Sequence, residues 1–497
     1  MPVESPYDRL LADPVWGPEC RVISGLSGST RARPAVVGGA VRDLLLGRRI
    51  KDLDIATAIP DSARTLAKEF AGVTRRTLVE YTHKQTIYRV VGPGQPQVDF
   101  TDPIGGTREA DLRRRDFTIN ALALGLVGNE KGVLDDPTDG LADLESKIVR
   151  MGNPDVFDDD PLRLLRAFRF AAQLGFEIDS ATLRSIEIRP LKLRDVAGER
   201  IQLELLETLD PDGAAEHADR MDSAGLLRPL FPELALQKGL EQNDYHHLDV
   251  WEHTLEALRQ IERILRIEER FLLPYADRIR EYAGYEYPSG HTRRMLIKLA
   301  VLLHDIAKPH CRGVREDGRI TFIGHERRGG DLCREHLEYL RFPRYERAFI
   351  CALIEGHLRP AVFSREDASR PRVAYRFFRD CEDAALGIMM VSLADRLAAQ
   401  GRLVTDEVNA RHRAAIAYLL ECLFTRTEMV VRPPQLLDGA TLIHELGIEP
   451  GPLVGHLLKR VQEAQVMGEI STREAALEYC RAILDGSDVS GRSDGSG

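Results

Sequence analysis

The feature that most constrains this chain is a change of hydrophobic period at Pro161. Before it, over 23–150, KDLDIAT, QTIYRVVG and QVDFTD read as strands, and AVVGGAVRDLLLG reads as strand, glycine turn and helix. After it, strand signals almost vanish. PLRLLRAFRFAAQLGF, ERIQLELLETL and VWEHTLEALRQIERIL carry the spacing of amphipathic helices. A chain of 497 residues is also too long for one core. The expected class is α+β: a head with a mixed or antiparallel sheet and helices over 23–150, then a mostly helical remainder. Within that remainder the histidines crowd between His246 and His357, and an Arg432-Pro433-Pro434 break precedes a segment with its own Pro-Gly-Pro turn. These signals predict a neck at 151–240, a histidine-bearing domain at 241–425 and a C-terminal helical domain at 430–485. The Ser-, Gly- and Asp-rich tail at 486–497 is too polar to pack and is expected to be disordered.

Composition narrows the class. With 43% apolar and 29% charged residues the chain is neither a disordered tail nor a rod. No apolar run approaches the ~20 residues that span a bilayer, so no membrane association is expected. The start, MPVESPYDRLL, lacks the basic, then apolar, order of a signal peptide. Seven scattered cysteines without a C-x-x-C pair suit a reducing compartment, and the chain reads as cytoplasmic. Acids exceed bases by 78 − 68 = 10, which disfavours nonspecific coating of a polyanion. Any RNA must be held by local basic patches.

Lys51-Asp52-Leu53-Asp54-Ile55 puts two carboxylates on one strand face and Leu53 and Ile55 on the other, because side chains alternate with a period of two. Alone, D-x-D fits a solvated strand end. Its context argues for more. Gly38-Gly39 precedes a short helix from Ala40 to Leu46, whose free N–H groups and dipole can hold a phosphate, with Arg42 adding charge. Asp99, between Val98 and Phe100, is either a third carboxylate on a neighbouring strand or a turn former. A phosphate grip with two or three convergent acids is what two-metal phosphoryl transfer requires.

A second constellation is helical. His253 lies in VWEHTLEAL, His304 and Asp305 end MLIKLAVLLHDIAKP, His325 follows Gly324, His357 ends RAFICALIEGH, and Asp395 lies in VSLADRLA. Each alone is commonly a core or capping residue. Together, from separate helices of a bundle, they can converge on one ion, and mixed N and O ligands suit Mn²⁺, Ni²⁺, Fe²⁺ or Zn²⁺ better than Mg²⁺.

Over most of its length the chain resembles the class II tRNA nucleotidyltransferase (CCA-adding) and bacterial poly(A) polymerase family. The likeness rests on GGAVRDLLLGRRIKDLDIAT (38–57), RRDFTINA (114–121), DPTDGLADL (136–144), DDPLRLLRAFRFAAQLGF (159–176), GERIQLEL (198–205) and the tail stretches PGPLVGHLL and EISTREAALEY. It implies that Asp52, Asp54 and Asp99 are catalytic, with Asp52 and Asp54 holding Mg²⁺. It implies that Gly38, Gly39 and Arg42 grip the triphosphate, and that Arg114, Arg115, Asp116 and Asn120 meet the nucleotide's ribose and phosphates. In the family's nucleotide-selecting helix an Asp and an Arg read the base edge. Asp160 and Arg163 occupy those places, as i,i+3 neighbours on one helical face, and Arg166 and Arg169 continue the stripe. Asp159 stands where the family usually has Glu. The histidines resemble an HD-type metal phosphohydrolase domain: His253, His304, Asp305 and Asp395 match its H…HD…D ligands. His325 and His357 match the extra histidines of fuller versions, for a second metal or a phosphate, and Lys308 matches the basic residue after the dipeptide.

The resemblance therefore implies template-independent, Mg²⁺-dependent addition of C or A to the 3′ end of tRNA from CTP or ATP, with a second phosphohydrolase activity using Mn²⁺ or Ni²⁺. The alternatives are a poly(A) polymerase, which commonly ends in a basic arm that this tail lacks, and an RNA or nucleotide phosphohydrolase with a binding-only head. Only Thr101 to Ala110 separate Phe100 from Asp111, where relatives that add the final A usually have a longer flexible loop. That shortness favours an enzyme adding only CC or only A.

Overall fold

The computed structural model describes residues 5–82, 86–364 and 370–486, which divide into two compact units. One comprises Met1–Pro211 with Arg220–Pro229; the other comprises Asp212–Asp219 and Leu230–Gly497. The expected tail thus lies outside the described residues from 487 onward.

The first unit is built on a seven-stranded sheet. Its strands are β1 (Ala35–Val37), β2 (Leu53–Ala56), β3 (Thr77–Thr82), β4 (Thr86–Gly92), β5 (Gln95–Thr101), β6 (Ala123–Gly125) and β7 (Leu134–Asp135), ordered β3-β4-β5-β2-β1-β6-β7. Only β2 and β5 pair in parallel, and the other neighbours are antiparallel. The mixed sheet agrees with the sequence reading. The helix Ala63–Thr74 buries Leu66, Ala67 and Phe70, and Phe70 meets Phe100 of β5 at a ring separation of 5.4 Å. Asp102, just past β5, accepts from the Ser62 and Ala63 amides at that helix's start, so it fixes both. Two further helices, Arg163–Leu174 and Gly198–Leu209, pack on each other through Leu164, Ala167, Ile201 and Leu205.

After Pro161 the described residues hold only two-residue strands, Glu177–Ile178, Gly313–Val314 and Ile320–Thr321. The second unit is a helical bundle. Val250–Leu265 crosses Ala385–Ala398 and Arg293–Leu303, while His325–Tyr339 pairs with Arg344–Gly356. Ala385–Ala398 is buried on nearly every side, as its run of apolar residues demands. At the C-terminal end, Gly439–Leu446, Pro452–Val466 and Arg473–Leu484 enclose a small core of Leu442, Leu457, Val461, Ala476 and Cys480. No helix among the described residues is long and apolar enough to cross a membrane.

Candidate active site and metal centre

In the first unit the two acids of D-x-D stand at the start of β2. Asp52 is exposed just ahead of the strand and Asp54 is partly buried within it, while Leu53 and Ile55 are buried on the core side. The parallel β2–β5 register sets Asp54 beside Asp99. Burial raises the Asp54 pKa to about 6; the Arg115 guanidinium pulls it down, and the Asp99 and Asp52 carboxylates push it up. Carboxylates on neighbouring strands offer an all-oxygen set, which suits Mg²⁺. Asp99 differs from the other two. Arg89 of β4 grips it bidentately, Nε to Oδ1 at 2.8 Å and Nη2 to Oδ2 at 2.7 Å, so a ligand role must compete with that pair.

The glycine turn precedes the helix Gly39–Leu45. Gly38 has φ +74°, and a Cβ there would stand 2.6 Å from Arg115 Nη1, so the arginine lies against the turn. Arg115 Nε is buried without a hydrogen-bond partner among the described residues, and Nη2 meets Asp111 at only 3.4 Å. Beside both the turn and Asp54, it is well placed to donate to a phosphate. Arg114 is exposed.

The other residues expected to hold the nucleotide spend their polar atoms on one another. Arg42, 8% exposed, donates to Asn120 Oδ1 at 2.6 Å and Asp43 Oδ1 at 2.9 Å. Asn120 Nδ2 donates to Asp116 Oδ1 at 3.0 Å, and Arg166 donates to Asp116 Oδ2 through Nε at 2.9 Å and Nη2 at 2.7 Å. Burial opposes the Asp116 charge, yet Arg166 and Asn120 outweigh it and lower its pKa to about 2. Arg169 completes the group by donating to Glu204 at 2.6 Å. The Phe170 ring lies under three guanidinium groups, those of Arg42, Arg166 and Arg169, at 5.0, 5.2 and 4.2 Å. In this arrangement Arg42, Asp116, Asn120 and Arg166 brace the glycine turn against the helix Arg163–Leu174.

The expected single helical face for Asp160 and Arg163 is corrected by the structure. Asp160 is extended (φ −150°, ψ 101°) and the helix begins at Arg163, because Pro161 disfavours the helical conformation in the residue before it. Asp160 instead accepts from the Leu162 amide and pairs with Arg200, Nη2 to Oδ2 at 2.7 Å. Arg163 Nη1 donates to the Val156 carbonyl at 3.2 Å. The two remain close through the cap, where the Arg163 amide donates to the Asp160 carbonyl at 3.0 Å.

The second unit gathers all of the sequence-named histidines. His304 and His357 cap the ends of Arg293–Leu303 and Arg344–Gly356, and His325 opens His325–Tyr339. Each donates Nδ1–H to a carbonyl three residues earlier, of Val301, Ile354 and Phe322, at 2.6–2.7 Å. That bond leaves Nε2 as the ligand atom. Asp305 lies 3.2 Å from Nε2 of both His304 and His325, and His253 Nε2 is 3.0 Å from Asp395 Oδ1. Lys308 Nζ stands 2.6 Å from Asp305 Oδ2. Burial opposes charge on Asp305 and Asp395, but the imidazoles hold both carboxyls well below the usual range, with Lys308 helping at Asp305. The same carboxylates overcome burial at His304 and raise its pKa to about 10. Such a field favours a cation. Nδ1 of His253 is buried without a hydrogen-bond partner among the described residues, and Nε2 of His304 and His325 is buried against carboxylate oxygens, of Asp305 and, for His304, also of Asp395. Three overlapping groups have metal-ligand spacing: His246, His253 and Asp395; His253, His304 and Asp305; Asp305, His325 and His357. The residues fit one or two imidazole-bound ions.

His246 was not distinguished by the sequence reading. It sits in a loop, where no helical period reports it, although the His246-His247 pair ahead of His253 is a signal in retrospect. Arg200 and Glu204 were quoted only within a motif; Glu204 shows itself as an acid one turn after Ile201 and next to Leu205 on a buried helix face. 

Models of three families match in order: the poly A polymerase head domain at 35–150, the probable RNA and SrmB-binding site of polymerase A at 175–237, and the HD domain at 250–400. The chain is 34% identical over 452 residues to the A-adding tRNA nucleotidyltransferase of Deinococcus radiodurans, covering 90% of this chain and 94% of that one. It is 34% identical over 454 residues to the CC-adding tRNA nucleotidyltransferase of Thermus thermophilus, covering 89% and 92%. Among solved structures, a CCA-adding enzyme with CTP aligns with a TM-score of 0.63 at 23% identity, over 96% of this chain and 98% of that one. The Thermotoga maritima CCA-adding enzyme complexed with tRNA aligns with a TM-score of 0.61 at 22% identity, over 96% and 98%. These structural likenesses establish a shared fold.

Proposed function

This chain belongs to the tRNA nucleotidyltransferase family, and from that premise we propose that it adds C or A to the 3′ end of tRNA from CTP or ATP, with Asp52 and Asp54 at the reacting centre. The observation that carries the reading is the pair of acids at the head of β2, set beside a glycine turn against which Arg115 lies with its Nε unpartnered among the described residues. Bound Mg²⁺ would activate the attacking hydroxyl and neutralise the triphosphate. The chain's own residues do the rest. Asp52 and Asp54 hold the cation site, with Asp99 beside them under Arg89. Arg115 donates to phosphate, and Gly38 leaves room for it. Asp116, Asn120, Arg42 and Arg166 keep that turn in register with the helix whose first residue is Arg163. Asp160 and Arg163, at the helix start, present the polar groups that choose the base. The buried free thiols suit a cytoplasmic setting. The test is incubation of the purified protein with tRNA ending before CCA, after C and after CC, with each NTP in turn; incorporation of neither C nor A sinks the reading.

The segment 101–110 favours a restricted enzyme, adding only CC or only A. It is short, and both ends are tied: Asp102 caps the helix Ala63–Thr74, and Thr107 caps Arg108–Arg113 by accepting from the Ala110 amide. Relatives with matching coverage carry the names A-adding and CC-adding. Complete CCA synthesis on a tRNA lacking all three nucleotides would refute it.

The histidine cluster supports a second activity, a metal-dependent phosphohydrolase with Mn²⁺ or Ni²⁺ as its ion. The buried Nε2 atoms of His304 and His325 and the ligand spacing of the cluster carry this reading. His253, His304, Asp305 and Asp395 would hold one ion, with His325 and His357 serving a second or a phosphate. Lys308 neutralises Asp305 from the protein side. Absence of hydrolysis of phosphomonoesters and 2′,3′-cyclic phosphates with every divalent metal tried would leave the domain without this function.

A further inference from the structure

The histidine cluster shares two of its residues, His246 and Asp395, with the wall of a cavity of about 290 Å³. The rest of that wall is not what an ion needs. Tyr245, Leu358 and Val408 give it aromatic and apolar surface, and Arg396, Arg411 and His412 give it polarity. Arg396 uses its Nε on Asn409 Oδ1 at 3.1 Å, while its buried Nη2 has no hydrogen-bond partner among the described residues. His412, only 5% exposed, likewise keeps Nε2 buried and unpartnered. Arg411 is exposed at the rim, and its Nε reaches the Glu407 carbonyl at 3.4 Å. Among the described residues no carboxylate forms a salt bridge with either arginine.

A buried N–H without an acceptor costs free energy in the folded chain, and the cost is offset when a ligand supplies the acceptor. Asp395 on the same wall acts on Arg396 and Glu407 acts on Arg411, but neither carboxylate takes a hydrogen bond from these guanidinium groups, whose free N–H donors match the fork geometry of a phosphate. The volume lies just below the ~300–1,000 Å³ range of ligand pockets, which sets a single nucleotide as the upper limit of its occupant. We infer that this cavity is a nucleotide subsite of the histidine centre: Arg396 and Arg411 take the 5′-phosphate of a nucleoside, Tyr245 and Leu358 take its base, and the 2′,3′ side of its ribose faces the metal ligands. His412 Nε2 is available to a sugar hydroxyl. The inference rests on reading the cluster as a phosphohydrolase and adds the residues that hold the 5′ side and the base of its substrate. The same chemistry is offered by a free nucleoside 5′-phosphate and by the terminal nucleotide of an RNA 3′ end, whose 5′ oxygen carries a phosphodiester.

The experiment is isothermal titration of the full chain in EDTA, so that the readout is binding alone. The probes are adenosine, adenosine 5′-phosphate and the dinucleotide ApA. Adenosine 5′-phosphate or ApA should bind at least about tenfold more tightly than adenosine, and Arg411→Gln and Arg396→Gln should each remove that difference, with Arg411→Lys restoring part of it. Preference for the monophosphate assigns the subsite to free nucleotides, and preference for ApA assigns it to RNA ends. Arg411 is exposed, so its variant keeps the wild-type melting temperature and guards against misfolding of the Arg396 variant. Equal affinity for all probes, or a preference that survives in both arginine variants, overturns the subsite. Hydrolysis of bis(p-nitrophenyl) phosphate with Mn²⁺, measured separately, tests the underlying reading: its absence from the wild type removes the phosphohydrolase assignment whatever the titrations give.

Discussion

Asp52 and Asp54 come from three consecutive residues at the partly exposed start of one strand, whereas the ligand set around Asp305 is gathered from residues 246 to 395 and is almost wholly buried. The first offers oxygen only, the second imidazole and carboxylate together. This difference sets what each can hold. An open carboxylate pair would leave most of an ion's coordination to water and phosphate. A buried cluster whose histidines are each locked by a backbone carbonyl is preorganised, and a bound ion becomes part of the fold. The electrostatics agree. Burial raises the Asp54 pKa to about 6, while the neighbouring carboxylates, against burial, raise that of His304 to about 10.

The largest effect expected is on the head. Asp54→Asn should lower nucleotide addition by about three orders of magnitude, about 4 kcal/mol of barrier, while tRNA binding measured by filter retention stays near wild type. Near-normal incorporation at saturating Mg²⁺ breaks the comparison at its first term. At the second term, Asp305→Ala should abolish hydrolysis and leave nucleotide addition largely intact. It should also cost about 3–5 kcal/mol in unfolding free energy of the second unit, since Lys308 and His304 lose their buried counter-charge. Equal loss in both assays with a lowered melting temperature would make Asp305 structural.

Arg163→Ala should act on choice rather than rate. Misincorporation of the wrong NTP should rise about tenfold to a hundredfold, because a site that loses a hydrogen-bond partner loses discrimination. A slow but fully selective variant moves base reading elsewhere, and Arg200, which grips Asp160, is the next residue to try. Gly38→Ala is expected to be milder. Its φ of +74° costs a side chain about 1 kcal/mol, and the new Cβ displaces Arg115 rather than backbone. Triphosphate KM should therefore rise more than stability falls. The smallest effect concerns pH. Because the Asp54 pKa is raised, its protonated fraction grows as pH falls through about 6. The Mg²⁺ concentration for half-maximal addition should rise a few-fold between pH 8 and pH 6, and a flat profile would remove Asp54 from the competition.

The legibility of the two sites in the sequence follows the same contrast. D-x-D at a period of two is local, and the alternation of Leu53 and Ile55 with the acids holds in the structure. The His-Asp dipeptide and its spaced histidines were legible because helix ends are marked by their own sequences, although His246, in a loop, carried no period. The neck was less legible. Its arginine stripe reads equally as a nucleotide contact or as a scaffold, and the partners Asp116 and Glu204, 50 and 35 residues away from the arginines that bind them, are visible only in the structure.

By itself the sequence determined the switch from sheet to helix at Pro161, the acids, the glycine turn and the helix ends, because each is fixed by interactions within a few residues. Tertiary structure alone decided the parallel pairing that sets Asp99 beside Asp54, the pairing of Asp99 with Arg89, and the burial of Arg42 and Arg166 against Phe170. It alone placed Arg396 and His412 around a cavity beside the histidines. A charged side chain has no intrinsic preference between solvent, ligand and partner. Which it takes depends on what long-range packing brings within about 3 Å of it, and that distance is not written in its neighbours along the chain.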